Sequence, residues 1–251
     1  MKTLILVCTL FVWLPAANAQ TTRANTINLN TWLMYYGNHM VSEKIGWHSE
    51  IQWRRNDLLA KSQQLLLRTG VDVYSPKNYR VTFGYAFIQT YPYGEFATAN
   101  AFPEHRIWEQ LLTSQTLGKL KLSHRYRLEQ RMLGNAANGN FSNGRYENRM
   151  RYMAKATINI TQGEKPVYLA VYDEIFLNFG RQVAYNIFDQ NRLYGAIGFT
   201  LSQELKLEAG YLYQLVQLRS LDVSGTAKNR IENNHTLQVG LFHTMSFFDK
   251  D

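Results

Sequence analysis

Residues 120–131 read LKLSHRYRLEQR, and this stretch decides the fold. Leu120, Leu122, Tyr126 and Leu128 alternate with Lys121, Ser123, Arg125, Arg127, Glu129 and Arg131. Alternation with period two sends successive side chains to opposite faces of a β-strand. One face of this strand is apolar, and the other carries a row of charges. The following strand repeats the pattern: Tyr146, Met150, Tyr152, Ala154, Ala156 and Ile158 oppose Arg145, Arg149, Arg151 and Lys155.

Working outward, the same period runs through nearly the whole chain. Ile45, Trp47, Ile51 and Trp53 oppose His48, Glu50, Gln52 and Arg54, and Leu67, Val71 and Val73 oppose Arg68 and Asp72. Val81, Phe83 and Tyr85 oppose Arg80, Thr82 and Gly84. Beyond residue 166, Leu169, Val171 and Ile175 oppose Tyr172 and Glu174, Leu193 and Ile197 oppose Arg192 and Tyr194, and Leu207 and Tyr211 oppose Lys206 and Glu208. Leu237, Val239 and Leu241 close the series opposite Thr236 and Gln238. Residues 26–36 and 104–115 alternate less cleanly. These runs exceed the usual strand of about 5–6 residues and match the roughly 9–11 tilted residues that cross a bilayer.

Composition bounds the rest. The chain has 251 residues, 45% hydrophobic and 14% aromatic, too apolar for a disordered chain. A single cysteine excludes a disulfide framework and a cysteine zinc site. The first residues form a secretory leader: Lys2, an apolar run from Leu4 to Leu14, and the small-x-small site Ala17-Asn18-Ala19, so cleavage is expected after Ala19. The sole cysteine, Cys8, leaves with that leader. The net charge of +8 then drops by one with the loss of Lys2. No later stretch is apolar for long enough to span as a helix, so the exported chain is either soluble or a β-barrel.

The expected fold is an all-β, antiparallel, up-and-down transmembrane barrel of about 10–12 strands. Its parts are a leader (1–19), an N-terminal segment (20–43) serving as first strand or as plug or arm, the barrel (44–248) and a tail (249–251). Connections alternate in length. Those near residues 75–78, 117–119, 162–165 and 202–204 are short, and 92–103, 134–144, 179–188 and 220–233 are long. Short periplasmic turns and long outer loops are the mark of an outer-membrane barrel. Ten strands follow Lys44, and residues 26–36 make eleven. Single-chain bacterial barrels have even counts, so the expectation is a twelfth, missed strand, or a first segment that stays out of the wall.

Several short strings also carry a resemblance: EHRIWEQ (104–110), RYRLEQR (125–131), NRMRY (148–152), YDEIFLN (172–178), FDQNRLY (188–194), EAGY (208–211) and HTLQ (235–238). Together they resemble the domain-of-unknown-function 2490 (DUF2490) family, small bacterial outer-membrane proteins common in Bacteroidetes-like organisms. The resemblance implies an outer-membrane β-barrel and supplies no activity and no catalytic residue.

A charge on the lipid face near midplane costs roughly 2–4 kcal/mol, so the charged faces belong in the lumen. Arg125, Arg127, Glu129, Arg131, Arg149, Arg151, Glu174 and Arg192 are the candidates for an ion path. They lead to two readings: a small porin-like channel for small solutes, anions among them, or a closed barrel plugged by ion pairs, with its outer loops binding a partner. A soluble calyx and a hydrolase at the rim are weaker alternatives. No cofactor, metal or nucleic acid is expected, because the histidines lack ligand spacing and the cations alternate along strands instead of clustering. The expected partners are membrane lipid and the barrel-assembly machinery, which would read the aromatic end near Phe247. Trp32, Tyr35, Tyr36, Trp47, Trp53, Tyr91, Tyr93, Tyr211 and Tyr213 are candidates for interfacial girdles. His39, His105 and His235 are expected at solvated strand ends or loops, and Asp189 in a loop without a specified partner.

Overall fold

The computed structural model describes residues 24–183, 186–218 and 230–248. The leader, its cleavage site and the tail lie outside the described residues. Eleven strands follow in order: β1 (Ala24–Met40), β2 (Ile45–Asn56), β3 (Lys61–Ser75), β4 (Tyr79–Thr90), β5 (Phe102–Leu117), β6 (Leu120–Asn135), β7 (Asn140–Asn159), β8 (Val167–Phe179), β9 (Phe188–Thr200), β10 (Leu205–Leu218) and β11 (Arg230–Ser246). Each pairs with its sequence neighbours in antiparallel register, and β1 meets β11 to close the barrel.

The closure corrects the expectation of an even count. Residues 24–40 are a full wall strand, and the barrel has eleven strands because β1 and β11 pair in parallel, from Ala24 opposite Arg230 to Met40 opposite Ser246. A parallel ladder also satisfies the backbone and removes the edge. Side-chain amides reinforce the seam from inside: Asn28 Nδ2 donates to Asn234 Oδ1 at 2.9 Å, and Asn30 Nδ2 to Thr236 Oγ1 at 3.5 Å. As a consequence, Ala24 lies at the rim where β11 begins, and Ser246 lies at the opposite rim.

One rim carries the β1–β2, β3–β4, β5–β6, β7–β8 and β9–β10 connections; the other carries the 57–60 turn, the loops at 91–101 and 136–139, and the described loop residues 180–183 and 186–187. The loop expected over 134–144 is shorter than that. The β6–β7 ladder continues through a register shift to Asn135 opposite Asn140, leaving a turn at 136–139.

The distribution of side chains is inverted relative to a soluble barrel. Ile27 is 69% exposed, Trp47 48% and Phe83 56%, whereas Glu129 is 0% exposed and Arg127 3%. Apolar residues predominate on the outer face of every wall and most charged residues face inward; Asp173 of β8, met by Asn191, and Glu109 of β5, met by Gln130, are acidic exceptions on the outer face. Eleven strands spaced about 4.8 Å apart and tilted about 40° close to a backbone cylinder roughly 22 Å across. That interior is wide enough for long side chains from opposite walls to approach each other.

Candidate functional site

Two apolar islands stand inside the charged lumen. Trp32, Met34, Tyr194 and Leu212 form one, and Leu66, Ala86, Ile88 and Trp108 the other. Their aromatic faces carry cations. Arg54 and Arg192 lie over Trp32, with guanidinium carbons 4.0 and 5.1 Å from its centroid. Arg68 and Arg127 lie over Trp108 at 5.2 and 4.8 Å. Phe176 carries Arg151 at 4.3 Å and Arg192 at 4.7 Å. Gly84 makes room for one platform: a Cβ there would sit 2.3 Å from the Thr69 carbonyl and 2.6 Å from the Trp108 ring.

Glu129 is the hub of the ion pairs. Its carboxylate accepts from Arg149 at 2.6 Å, Arg151 at 2.8 Å and Arg106 at 3.1 Å, with Arg68 at 3.7 Å. Glu174 holds Arg125 and Arg151, each at 2.7 Å. Glu104 holds Arg106 at 2.6 Å and Arg131 at 2.8 Å. Some pairs cross chords of the cylinder: Lys155 of β7 reaches Glu208 of β10 at 2.9 Å, where Tyr168 of β8 also donates at 3.1 Å. Charge-assisted bonds of this kind are short, and they offset the cost of burying the ions.

Three guanidiniums are held differently. Arg127 donates Nε and Nη2 to the amide oxygen of Gln110, at 3.0 and 2.6 Å. Arg54 donates to Gln52 and, at 2.8 Å, to Gln64. Arg192 donates Nε to Gln190 at 3.2 Å. Among the described residues none of the three has a carboxylate within ion-pair distance.

Among these side chains lies a cavity of about 460 Å³. Eleven arginines and Lys155 line it, against five carboxylates: Glu50, Glu104, Glu174, Asp189 and Glu208. Of the eight residues expected from the sequence, Arg125, Arg127, Arg131, Arg149, Arg151, Glu174 and Arg192 line this cavity. Glu129 does not; it is fully buried beneath the arginines it holds. The β4–β5 loop lies over the long-loop mouth. Tyr93 lines the cavity and donates to Glu232 at 3.0 Å, and Arg230 lies over Phe96 at 5.0 Å. Burial and the adjacent Glu232 carboxylate push the Tyr93 phenol above its ordinary range.

A family model described as a protein of unknown function (DUF2490) matches residues 29–224. The chain belongs to the DUF2490 family. No curated protein and no solved structure matches it.

In this DUF2490 barrel the sequence reading missed several lumen residues. Arg54 and Arg68 were placed on the charged face without being singled out, and Glu104, Arg106 and Trp108 sit on the strand with the weakest alternation. Asp189 was assigned to a loop. It lies on β9 at a register shift where Leu177 pairs with Phe188 and Phe176 with Gln190, and its carboxylate meets Arg149 at 2.7 Å. A bulge re-aims a side chain in this way, and period-two reading cannot register one.

The girdle assignment divides. Trp47, Trp53 and Tyr211 do face outward, but Trp32 is fully buried in the lumen, and Tyr36 and Tyr93 line the cavity. His39 does lie at the end of β1 and His105 near the start of β5, while His235 is further inside β11. The solvated setting is what the structure corrects, since His39 is buried and the three meet the tyrosine hydroxyls of Tyr35 at 3.3 Å, Tyr85 at 2.5 Å and Tyr211 at 2.6 Å. His124 meets Tyr152 at 2.9 Å, and His243 meets Tyr35 at 3.2 Å. Each pairing gives a phenol and an imidazole nitrogen a polar partner outside the lumen, although the buried His39 keeps its Nδ1 without one among the described residues. No cluster of three metal-ligating side chains occurs among the described residues.

Proposed function

We propose that this DUF2490 barrel is an outer-membrane protein that conducts small anionic solutes through its lumen. The observation that carries the reading is the cationic surplus at the cavity: twelve cationic side chains line it, against five carboxylates in the lining and three more, Asp72, Glu129 and Glu147, paired with lining arginines from behind. Low-dielectric walls focus such a surplus into a field that attracts anions. The predominantly apolar exterior supports the membrane location, with residues such as Ile27, Trp47, Phe83, Ile107 and Leu193 facing outward. The leader-like residues 1–19 supply a route of export, and Phe247 and Phe248 supply an aromatic end for the assembly machinery.

Planar-bilayer recording tests the proposal. Purified, folded protein in a potassium chloride gradient should give stepwise currents with a reversal potential on the chloride side of zero. Absence of steps, or a cation-selective reversal potential, would remove it. A second reading is a closed barrel whose outer loops engage a partner. It is favoured by the ties Lys155–Glu208 and Arg68–Glu129, each of which spans two intervening strands and braces the cylinder along a chord. Silent protein in the same recording, with the barrel intact, would leave that reading standing.

A further inference from the structure

We infer that Arg54 and Arg192 form a clamp over the Trp32 indole for the carboxylate of a small organic anion. The inference deepens the anion-path reading and rests on it. Two strands far apart in sequence, β2 and β9, bring their guanidiniums onto one ring of β1, at 4.0 and 5.1 Å. Arg192 is only 8% exposed, yet its single hydrogen bond among the described residues runs from Nε to Gln190. Both of its Nη groups are left without an acceptor on the wall of the cavity.

The choice of neighbours explains why. Arg106, Arg131, Arg149 and Arg151 are met by glutamates, whereas Arg54 and Arg192 are met by Gln52, Gln64 and Gln190. An amide oxygen accepts the hydrogen bond and leaves the positive charge in place, and Glu174, the register partner of Arg192, is already bound by Arg125 and Arg151. Two like charges near one ring, in a site screened from bulk water, repel one another. An anion seated between them offsets that repulsion and takes up the free N–H groups. The planar guanidinium fork matches the two oxygens of a carboxylate. The neighbouring wall is apolar: Met34 packs with Trp32, and Phe176 lies under Arg192. A cavity of about 460 Å³ is of the size that holds small organic molecules. Together these features favour an acid with an apolar body over an inorganic ion.

Calorimetric titration of the full-length barrel in detergent tests the clamp, with benzoate as probe, benzamide as its uncharged counterpart and phosphate as the inorganic oxyanion. Benzoate should bind saturably, benzamide should not, and phosphate should bind more weakly than benzoate. R192Q should weaken benzoate about tenfold or more. Q190E places an internal carboxylate beside the free guanidinium at the cost of the bond from Gln190 Nε2 to Asp189, so it should weaken benzoate similarly, with D189N/Q190E as the version that spares the two carboxylates their repulsion. Gel migration that shifts on boiling reports whether each variant is closed, and Q190E decides the matter if R192Q does not close. The clamp is overturned if benzamide matches benzoate, if phosphate binds more tightly, or if the closed variants bind like the parent. Anion-selective current without benzoate binding removes the clamp and keeps the path. Benzoate binding without current removes the path instead.

Discussion

Tyr93 and Glu232 are 139 residues apart in sequence, and the hydroxyl of one donates to the carboxylate of the other at 3.0 Å. The bond ties the β4–β5 loop to the first residues of β11 at the long-loop mouth. Tyr93→Phe keeps the ring and removes the donor, so the loop should be released without disturbing the wall. We expect larger or noisier conductance steps, with the barrel's gel behaviour unchanged; identical traces would show that the loop does not restrict the mouth. The raised phenol also sets a pH window. The closed mouth holds the phenolic proton more tightly than free tyrosine does. The tie therefore contributes in full below the ordinary phenol range, about pH 10, and weakens as pH rises above it. Parent protein taken from pH 7 to 9 should keep its small steps.

Glu129 holds four arginines and is fully buried. Glu129→Gln leaves those cations facing a neutral amide. Removing one partner of a buried ion cluster costs about 3–5 kcal/mol. Glu208→Gln loses only Lys155 and a bond from Tyr168, nearer the short-turn rim. Urea unfolding in lipid vesicles should show a lower midpoint for E129Q than for E208Q. Equal midpoints would mean that the hub is not the brace its geometry indicates.

The fold was legible wherever a strand alternates without interruption. On β6 and β7, Arg125, Arg127, Arg149 and Arg151 are read from spacing alone, because the cost of exposing charge to hydrocarbon leaves one face for them. Legibility stops where chemistry depends on long-range pairing. Nothing local to residues 24–40 announces a parallel partner some two hundred residues away, so the strand count was misjudged. Trp32 looks like an interfacial aromatic until register places it in the lumen. Asp189 is turned inward by a bulge, and Glu104 reaches its arginines from a strand whose alternation is weak. Part of the distinction between an arginine met by glutamate and one met by glutamine is local, since Gln52, Gln190 and Glu104 lie two residues before Arg54, Arg192 and Arg106 on the same strand; the rest depends on register with the neighbouring strand, as for Gln64 and Arg54.

Gly84 is where the wall yields to Trp108. Gly84→Ala would place a methyl against the Thr69 carbonyl and the indole, both closer than a real Cβ tolerates. The ring must move, and Arg68 and Arg127 lose the platform beneath them. Overpacking of this kind costs about 1–3 kcal/mol. Tryptophan fluorescence should shift in the folded variant, and its urea midpoint should fall; an unchanged spectrum would contradict the packing of Trp108 on Gly84.

The parallel seam makes a prediction about sidedness. Since β1 and β11 run the same way, Ala24 shares a rim with the 136–139 turn, and residue 203 lies at the other. The only cysteine in the sequence is Cys8, so single cysteines introduced in a C8S background label without interference. Under the outer-membrane reading, A24C and A137C should react with a membrane-impermeant maleimide on intact cells, and Q203C should react only after the envelope is opened. Residue 24 is held at that rim because β1 is a wall strand antiparallel to β2, from Asn30 opposite Asn56 to Met40 opposite Gly46. A24C labelling like Q203C would therefore refute the placing of β1 in the wall, while A137C and Q203C behaving alike would refute the assignment of the two rims.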